Sequence, residues 1–181
     1  MELEVEALKA KMTIENTVQK ASMEFLEGTL NQTEVVIVRS GIGKVNAALC
    51  TQILCDLFQV SHIINTGVAG SLKAEINIGD IVASTDALHH DVDARVFGYP
   101  LGEVPQMGCL SFSADDHLLN LAVSCCKEVN PDISVYQGRI VSGDQFISDK
   151  KVKESLIENF QAFCVEMEGA SIAHAAYLNH I

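Results

Sequence analysis

The sequence predicts an α/β fold built on a mixed, mainly parallel sheet. Short apolar runs typical of strands alternate with helical patterns of about ten to fifteen residues. Glycine-rich turns follow several of these runs, and 48% of the 181 residues are hydrophobic, which is enough for one compact domain with a core. Because sheets of this kind bind ligands at the ends of their strands, those turns are where we expect a functional site.

Hydrophobic periodicity places the elements along the chain. Apolar residues at helical spacing predict a helix over residues 4–12, and Asn31-Gln32-Thr33 predicts a hairpin turn between two strands. The predicted strands are 23–30, 34–39, 62–65, 81–84, 133–140 and 162–165. The later predicted helices are 44–58, 117–129, a helix capped by Ser148-Asp149 that runs to about residue 160, and 167–178.

The charge balance excludes one class of partner. The chain carries 24 acidic and 12 basic residues, a formal net charge of −12 at pH 7, so it would repel the phosphate backbone of a nucleic acid. The first six residues are acidic where a signal peptide is basic and then apolar, and no apolar run is long enough to span a membrane. We therefore expect a cytoplasmic protein with no membrane partner and a small-molecule ligand.

Cysteine and histidine do not predict a metal site. None of the six cysteines forms a C-x-x-C pair, so we expect them to be reduced thiols. His89, His90 and Asp91 are adjacent, and adjacent side chains on a strand point to opposite faces, which disfavours shared ligation. We expect neither a metal nor a cofactor.

Two glycine-rich turns are candidate ligand sites. Ser40-Gly41-Ile42-Gly43-Lys44 is not a phosphate-binding P-loop, because it lacks the four-residue spacer and the Ser or Thr after the lysine. Asn65-Thr66-Gly67-Val68-Ala69-Gly70 follows another predicted strand. In both turns the small residues either allow tight backbone packing or let a sugar or anion approach closely, and the pattern leaves both interpretations open.

The most informative motif is Glu166-Met167-Glu168, at the point where a predicted strand becomes a helix. Acidic residues there favour the positive end of the helix dipole. A carboxylate at a strand end can equally accept two hydrogen bonds from a vicinal diol such as that of a ribose. On pattern alone, four further residues have ordinary interpretations: Asp144 as a turn residue, Phe146 as a core residue, His174 as a packed or partly exposed histidine, and Glu4 as a solvated acid.

Taken together, seven motifs resemble the bacterial 5′-methylthioadenosine/S-adenosylhomocysteine nucleosidases of the nucleoside phosphorylase superfamily. The resemblance runs from the first residue to the last, in order and spacing. The motifs are Met1-Glu2-Leu3-Glu4-Val5, Ser40-Gly41-Ile42-Gly43-Lys44-Val45, Asn65-Thr66-Gly67-Val68-Ala69-Gly70, Gly79-Asp80-Ile81-Val82, Phe97-Gly98-Tyr99, Val141-Ser142-Gly143-Asp144 and Val165-Glu166-Met167-Glu168.

The resemblance implies a three-layer α/β fold, with a twisted, mixed and mainly parallel sheet flanked by helices. It implies a hydrolase that releases adenine from a thio-substituted ribose without a cofactor. By resemblance, Glu4 is the catalytic carboxylate that activates water, Glu168 binds the ribose diol, Phe146 stacks on adenine, and the backbone of Ile147 reads the edge of the base. The full predicted substrate-binding set is Met1, Ile42, Val68, Phe146, Ile147, Glu166, Met167 and Glu168.

The resemblance also implies a homodimer in which Phe97 and Pro105 reach the partner subunit's pocket. Two departures from the family matter. Val68 stands where many relatives have Ser, and the chain ends at Ile181, ahead of the strand and the Ser-Asp pair whose Asp protonates adenine in the family. We therefore expect residues 1–181 to be one nucleosidase domain without the family's first strand and its C-terminal strand and helix, which leaves turnover by this chain open.

Three alternatives stay open from the sequence. A purine nucleoside phosphorylase would need basic residues for phosphate, for which Arg39, Lys44 and Arg95 are available. A hydrolase could instead act on a related nucleoside such as futalosine or deoxyadenosine. A non-catalytic nucleoside-binding fragment would bind without turnover.

Overall fold

The computed structural model describes the backbone of residues 2–181 and the side chains from Val5 onward. The helices are α1 (Glu2–Lys9), α2 (Lys44–Phe58), α3 (Asp116–Val129), α4 (Lys150–Phe160) and α5 (Gly169–Leu178). The strands are β1 (Thr13–Lys20), β2 (Met23–Leu30), β3 (Thr33–Val38), β4 (Gly70–Ser71), β5 (Ile81–His89), β6 (Phe112–Ser113), β7 (Val135–Ser142) and β8 (Cys164–Glu166). A short 3-10 turn spans Arg95–Phe97.

The first three strands form an antiparallel sheet in the order β1-β2-β3. Neighbouring residues of β2 point to opposite faces, and both faces are covered. Leu26 packs in a cluster with Val5 of α1, whereas Phe25 stacks on Phe58 of α2 at a ring-centroid distance of 5.2 Å. The first sheet is therefore covered by α1 on one face and by α2 on the other.

The second sheet has the order β4-β8-β7-β5-β6. Its central strands β5, β7 and β8 are parallel, and the short strands β4 and β6 pair antiparallel at its two edges. Leu88, Val141 and Val165 pack against Phe160 of α4 on one face. The following residue of each strand points to the other face, where α5 lies: His89, Ser142 and Glu166. Helices on both faces of a mixed sheet confirm the predicted three-layer α/β fold.

Several predicted elements are confirmed almost residue for residue. Helix α2 and strand β2 have the predicted bounds, and the hairpin at residues 31–33 joins β2 to β3. Asp149 caps α4 by accepting hydrogen bonds from the backbone N–H groups of Lys151 and Val152. In the described part of the chain, no helix has both the length and the apolar character needed to cross a membrane.

The strands depart from the prediction in several places, and the two-residue edge strands β4 and β6 were not predicted. Strand β1 was not predicted because its polar sequence is almost entirely exposed. Residues 62–65 are not a strand, since they have no ladder partner among the described residues, and Ile64 is 76% exposed. Strand β5 continues five residues beyond the predicted 81–84, past polar residues that interrupt its apolar run, and this continuation brings His89 to the sheet edge.

Candidate functional site

The carboxyl ends of the three parallel strands meet at one edge of the second sheet. His89 of β5 is in register with Ser142 of β7, and Ser142 is in register with Glu166 of β8. The loops that leave these strands carry further polar residues, among them Asp91, Asp144 and Glu168. This edge is the place where the fold class predicts a ligand site.

Glu166 joins the sheet to the start of α5. One oxygen of its carboxylate accepts the hydroxyl hydrogen bond of Ser142. The other accepts from the backbone N–H groups of Glu168, at 2.8 Å, and Gly169, at 2.7 Å. The Ser142 hydroxyl in turn accepts from the N–H of Ala170 at 2.7 Å. A carboxylate at this position satisfies N–H groups that the first turn of a helix leaves without partners, and it lies at the positive end of the helix dipole.

Glu168 lies immediately before α5 and is half-buried. Its Oε1 accepts a hydrogen bond from the backbone N–H of Gly43 at 2.7 Å, and within the described part of the chain this is its carboxylate's one hydrogen bond. Gly43 is the residue before α2 and has a φ of 91°, a conformation that favours glycine. The start of α2 therefore comes directly against Glu168, whose second carboxylate oxygen, Oε2, accepts no hydrogen bond from the described residues.

Three residues close a ring of hydrogen bonds beside this contact. Lys44 donates from Nζ to Asp91 Oδ1 at 2.8 Å and from its backbone N to Asp144 Oδ1 at 2.8 Å. The backbone N of Asp144 donates to Asp91 Oδ2 at 3.0 Å. Burial acts to raise the pKa of Asp91, but the opposing effect of the Lys44 ammonium and the Asp144 N–H is larger. The pKa of Asp91 therefore lies below its usual value. The ring connects α2 to the loops after β5 and β7.

The histidines at this edge are neutral groups packed under the site. Burial is the largest cause that lowers the pKa of His89, to about 4, and the positive charge of Lys44 adds to it. His89 Nε2 lies 3.4 Å from Nδ1 of His174, whose ring stacks on Phe112 at 4.7 Å. His174 is half-buried, as its sequence context predicted. The sequence pattern did not indicate these roles for Asp91 or Ser142, although Ser142 ends β7 and Asp91 follows the end of β5 by two residues.

The predicted wall residues differ widely in exposure. Phe146 is 87% exposed, so its interpretation as a core residue is wrong, and the ring is free to contact a ligand. The next residue, Ile147, packs against the core cluster under α4 and so anchors the loop that carries Phe146. Ile42 and Val68 are 67% and 72% exposed. Met167 is half-buried between the two glutamates.

The remaining predicted residues are exposed on the segment after β5 or lie outside the described residues. Phe97 is 79% exposed in the 3-10 turn, and Pro105 is exposed in the loop that follows. Met1 lies outside the described residues. Glu4 belongs to α1, but its side chain is outside the described part of the chain. Its predicted role in activating water stays a prediction.

Comparison with known proteins identifies relatives over the whole chain. The model of a family described as the phosphorylase superfamily matches residues 1–181. A 5′-methylthioadenosine/S-adenosylhomocysteine nucleosidase of an Exiguobacterium species is 45% identical over 98% of this chain and 76% of its own length.

Two crystal structures of nucleosidases with the same name are similar. The Colwellia psychrerythraea protein, in complex with adenine, is 41% identical, with a TM-score of 0.93 over 98% of this chain and 74% of that chain. The Neisseria meningitidis protein, in complex with methylthio-immucillin-A, is 36% identical, with a TM-score of 0.94 over 99% of this chain and 78% of that chain.

Proposed function

Because this chain belongs to the 5′-methylthioadenosine/S-adenosylhomocysteine nucleosidases of the phosphorylase superfamily, we propose that it hydrolyses the N-glycosidic bond of these two thio-nucleosides and releases adenine. One observation carries the assignment to this site. The Glu168 carboxylate, held by Gly43 at the carboxyl edge of parallel strands, is poised to accept hydrogen bonds from a ribose diol.

The sugar contacts follow from the position of Glu168. A carboxylate that accepts two hydroxyl groups fixes the ribose and places negative charge near the ring. That charge stabilises the positive, oxocarbenium-like character that the ribose develops as the glycosidic bond breaks. Met167, half-buried beside Glu168, and the exposed side chains of Ile42 and Val68 supply apolar walls for the sugar and its thioether. Glu166 orders the backbone beneath them, and its predicted contact with substrate stays a prediction.

The base contacts follow from the loop after β7. An exposed aromatic ring such as Phe146 gains by covering a flat purine, because stacking removes apolar surface of both from water. Ile147, anchored in the core, holds its own backbone still, which suits it to read the edge of adenine by hydrogen bonding. Together the two residues provide one stacking surface and one fixed polar contact.

The attacking water is assigned to Glu4, with Met1 as a further wall of the sugar pocket. This part of the proposal rests on the resemblance of the first five residues to the family motif. A carboxylate can take a proton from water as the water oxygen bonds to the sugar carbon, so neither a metal nor a cofactor is needed for that step. The bond from that carbon to adenine breaks, and the departing base takes a proton from solvent, so that the net reaction adds one water across the glycosidic bond.

The assembly we propose is a homodimer of a cytoplasmic protein that serves methionine salvage and removal of the methyl-cycle product S-adenosylhomocysteine. Its support is the apolar surface beyond the site. Val96 and Phe97 are 85% and 79% exposed, and Pro105, further along the same loop region, is also exposed. Adjacent large apolar side chains in water mark an interaction surface, and Phe97 and Pro105 are the residues assigned to the partner subunit's pocket.

The charges of the site favour water over phosphate as the nucleophile. A phosphorylase needs cationic side chains that converge on phosphate. The Lys44 ammonium is instead 2.8 Å from Asp91, and the Arg95 guanidinium is 2.6 Å from Asp93. Two of the three basic candidates are thus already neutralised by neighbouring carboxylates.

The test is adenine release from 5′-methylthioadenosine by the purified chain, measured with and without phosphate. We expect release that does not depend on phosphate. Glu168→Gln should lower kcat/KM about 10- to 100-fold, since a charge-assisted hydrogen bond contributes about 1.5–3 kcal/mol. Glu154→Gln, on the exposed side of α4, is the matched control and should leave kcat/KM unchanged.

Three other outcomes would redirect the proposal. Release that requires phosphate would make the protein a phosphorylase. Binding of 5′-methylthioadenosine without release of adenine would make it a nucleoside-binding module. Faster turnover of futalosine or deoxyadenosine would keep the chemistry and change the substrate.

A further inference from the structure

The ring formed by Lys44, Asp91 and Asp144 connects α2 to the loops after β5 and β7, and within it the Lys44–Asp91 ion pair is partly buried while Asp144 is exposed. The side chains of Lys44 and Asp91 are 25% and 16% exposed, whereas those of the nearby Arg95–Asp93 pair are 62% and 47% exposed. A partly buried ion pair is less screened by water and salt than an exposed one. The Lys44–Asp91 pair is therefore the stronger constraint of the two, and Lys44 directly follows Gly43, whose N–H contacts Glu168.

The ring acts on Glu168 through the one residue Gly43, which directly precedes Lys44. Lys44 is held twice, by its backbone N on Asp144 and by its Nζ on Asp91. The residue before it, Gly43, donates its backbone N–H to Glu168 at 2.7 Å. Because Lys44 is fixed at both its backbone and its side chain, the Gly43 N–H keeps its direction toward the carboxylate.

Asp91 itself is fully occupied by this task. Its Oδ1 accepts from Lys44 Nζ, and its Oδ2 accepts from the backbone N of Asp144. Gly43 also fits closely into the ring, since a Cβ at this position would lie 3.0 Å from Asp144 Oδ1. The start of α2 is thus seated against Asp144 with little room to shift.

We propose that Asp91 is a positioning residue that sets the preference of this site for a ribose over a 2′-deoxyribose. It does so by holding Lys44, and through it the Gly43 N–H that orients the Glu168 carboxylate toward the diol. The inference rests on the proposed function, because it needs Glu168 to be the acceptor of the sugar hydroxyls. Without the ring, binding of a diol must also fix the orientation of the Glu168 carboxylate, which lowers the affinity for the diol. A sugar with a single hydroxyl depends less on that orientation, so its affinity changes less.

The experiment compares 5′-methylthioadenosine with its 2′-deoxy analogue on the unmodified chain and on Asp91→Asn. The readout is the ratio of the two kcat/KM values, or of the two Kd values where only binding is measured. Asn keeps the size of Asp91 but removes the charge and one acceptor. In Asp91→Asn we expect kcat/KM for 5′-methylthioadenosine to fall and that for the 2′-deoxy analogue to change less than about twofold. The ratio of the two values should therefore fall about tenfold, equal to about 1.4 kcal/mol.

Asp93→Asn is the matched control, because it removes a carboxylate two positions along the same loop whose side chain, among the described residues, pairs with the exposed Arg95 and with no other. Its ratio should equal that of the unmodified chain. Lys44→Met is the second variant and removes the other half of the ion pair. If Asp91→Asn fails to fold in a thermal melt, the ratio measured on Lys44→Met decides, and a fall of similar size supports the inference.

Two failures are distinguishable. If the unmodified chain shows no preference for the ribosyl ligand, the assignment of Glu168 in the proposed function is wrong. If it shows the preference and the folded Asp91 or Lys44 variant keeps it, the positioning role of Asp91 is overturned. A general loss of stability would lower both kcat/KM values together and leave their ratio unchanged, which would also overturn the inference.

Discussion

Replacing Glu166 by Ala should destabilise the fold more than any exposed carboxylate does. The variant removes the acceptor of three hydrogen bonds: the Ser142 hydroxyl and the backbone N–H groups of Glu168 and Gly169. Ser142 is 0% exposed, so its hydroxyl loses a partner that water cannot replace. The two backbone groups are half-buried, and water can reach them in part.

The magnitude follows from these burials. A buried hydroxyl without its partner costs about 1–2 kcal/mol, each half-buried N–H about 0.5 kcal/mol, and the lost charge at the helix end about 0.5 kcal/mol. The free energy of unfolding should therefore fall by about 3 kcal/mol. For a chain of this length that corresponds to a Tm lower by about 6–12 °C. Glu166→Gln keeps one acceptor oxygen and should cost about half as much.

The assay is urea denaturation at pH 7, with a double-mutant cycle to isolate the Ser142 bond. In the Ser142→Ala background, Glu166→Ala should cost about 1 kcal/mol less than in the unmodified chain, because that donor is already gone. Glu154→Ala is the control, since its 3.8 Å contact with Lys150 is exposed and should contribute at most about 0.5 kcal/mol. A cost for Glu166→Ala no larger than that of the control would refute the reasoning.

Three further predictions concern charge and burial elsewhere. Burial acts to raise the pKa of Asp86, but the paired Arg139 lowers that pKa below its usual value, so the ion pair stabilises the fold above about pH 4 and this stabilisation is lost as pH falls further. Urea denaturation of Asp86→Asn should show a smaller loss of stability than the unmodified chain in that range. Because burial lowers the pKa of His89 to about 4, the fold should become less stable as pH falls from about 6.5 toward 4, where the unfolded chain binds a proton that the folded chain does not. His89→Asn should therefore lower the slope of the unfolding free energy against pH by up to about 1.4 kcal/mol per pH unit. A thiol reagent at pH 8 should label exposed Cys125 in the folded protein and Cys50 only in urea, since burial raises the pKa of Cys50 to about 11; equal labelling rates would contradict this.

The elements that sequence could predict are those whose order is local. Helix α2 follows a glycine turn and keeps apolar residues on one face, and its bounds are as predicted. The β2–β3 hairpin is likewise set by its own turn and alternation. The structures of β1 and of residues 62–65 were not predicted, because they depend on contacts distant in the sequence. Whether such a segment is a strand depends on a neighbouring ladder, and β1 finds one in β2 while residues 62–65 find none among the described residues.

The location of the candidate site could be predicted from the sequence, but the hydrogen bonds between its residues could not. The rule that ligands gather at the carboxyl ends of parallel strands selects the loops after β5, β7 and β8. The rule does not say which polar side chains bond to one another there. Asp91 reaches Lys44 across 47 positions of the chain, and Gly43 reaches Glu168 across 125. Contacts of this separation depend on how α2 packs against α5 and β3, which no local pattern records.

The Glu166-Met167-Glu168 motif divides two competing interpretations between its residues: the helix-end role is confirmed for Glu166, and the diol-binding role of Glu168 stays a proposal. From the sequence, an acid at the positive end of a helix and an acceptor of a diol are alternatives for the same pair of residues. In the fold, Glu166 ends a strand and satisfies the first N–H groups of α5, while Glu168, two positions later, faces Gly43 across the site. The N–H of Glu168 is itself one of the groups that Glu166 holds. The helix-end carboxylate therefore fixes the backbone that presents the proposed sugar-binding carboxylate, and a diol site at this position needs both.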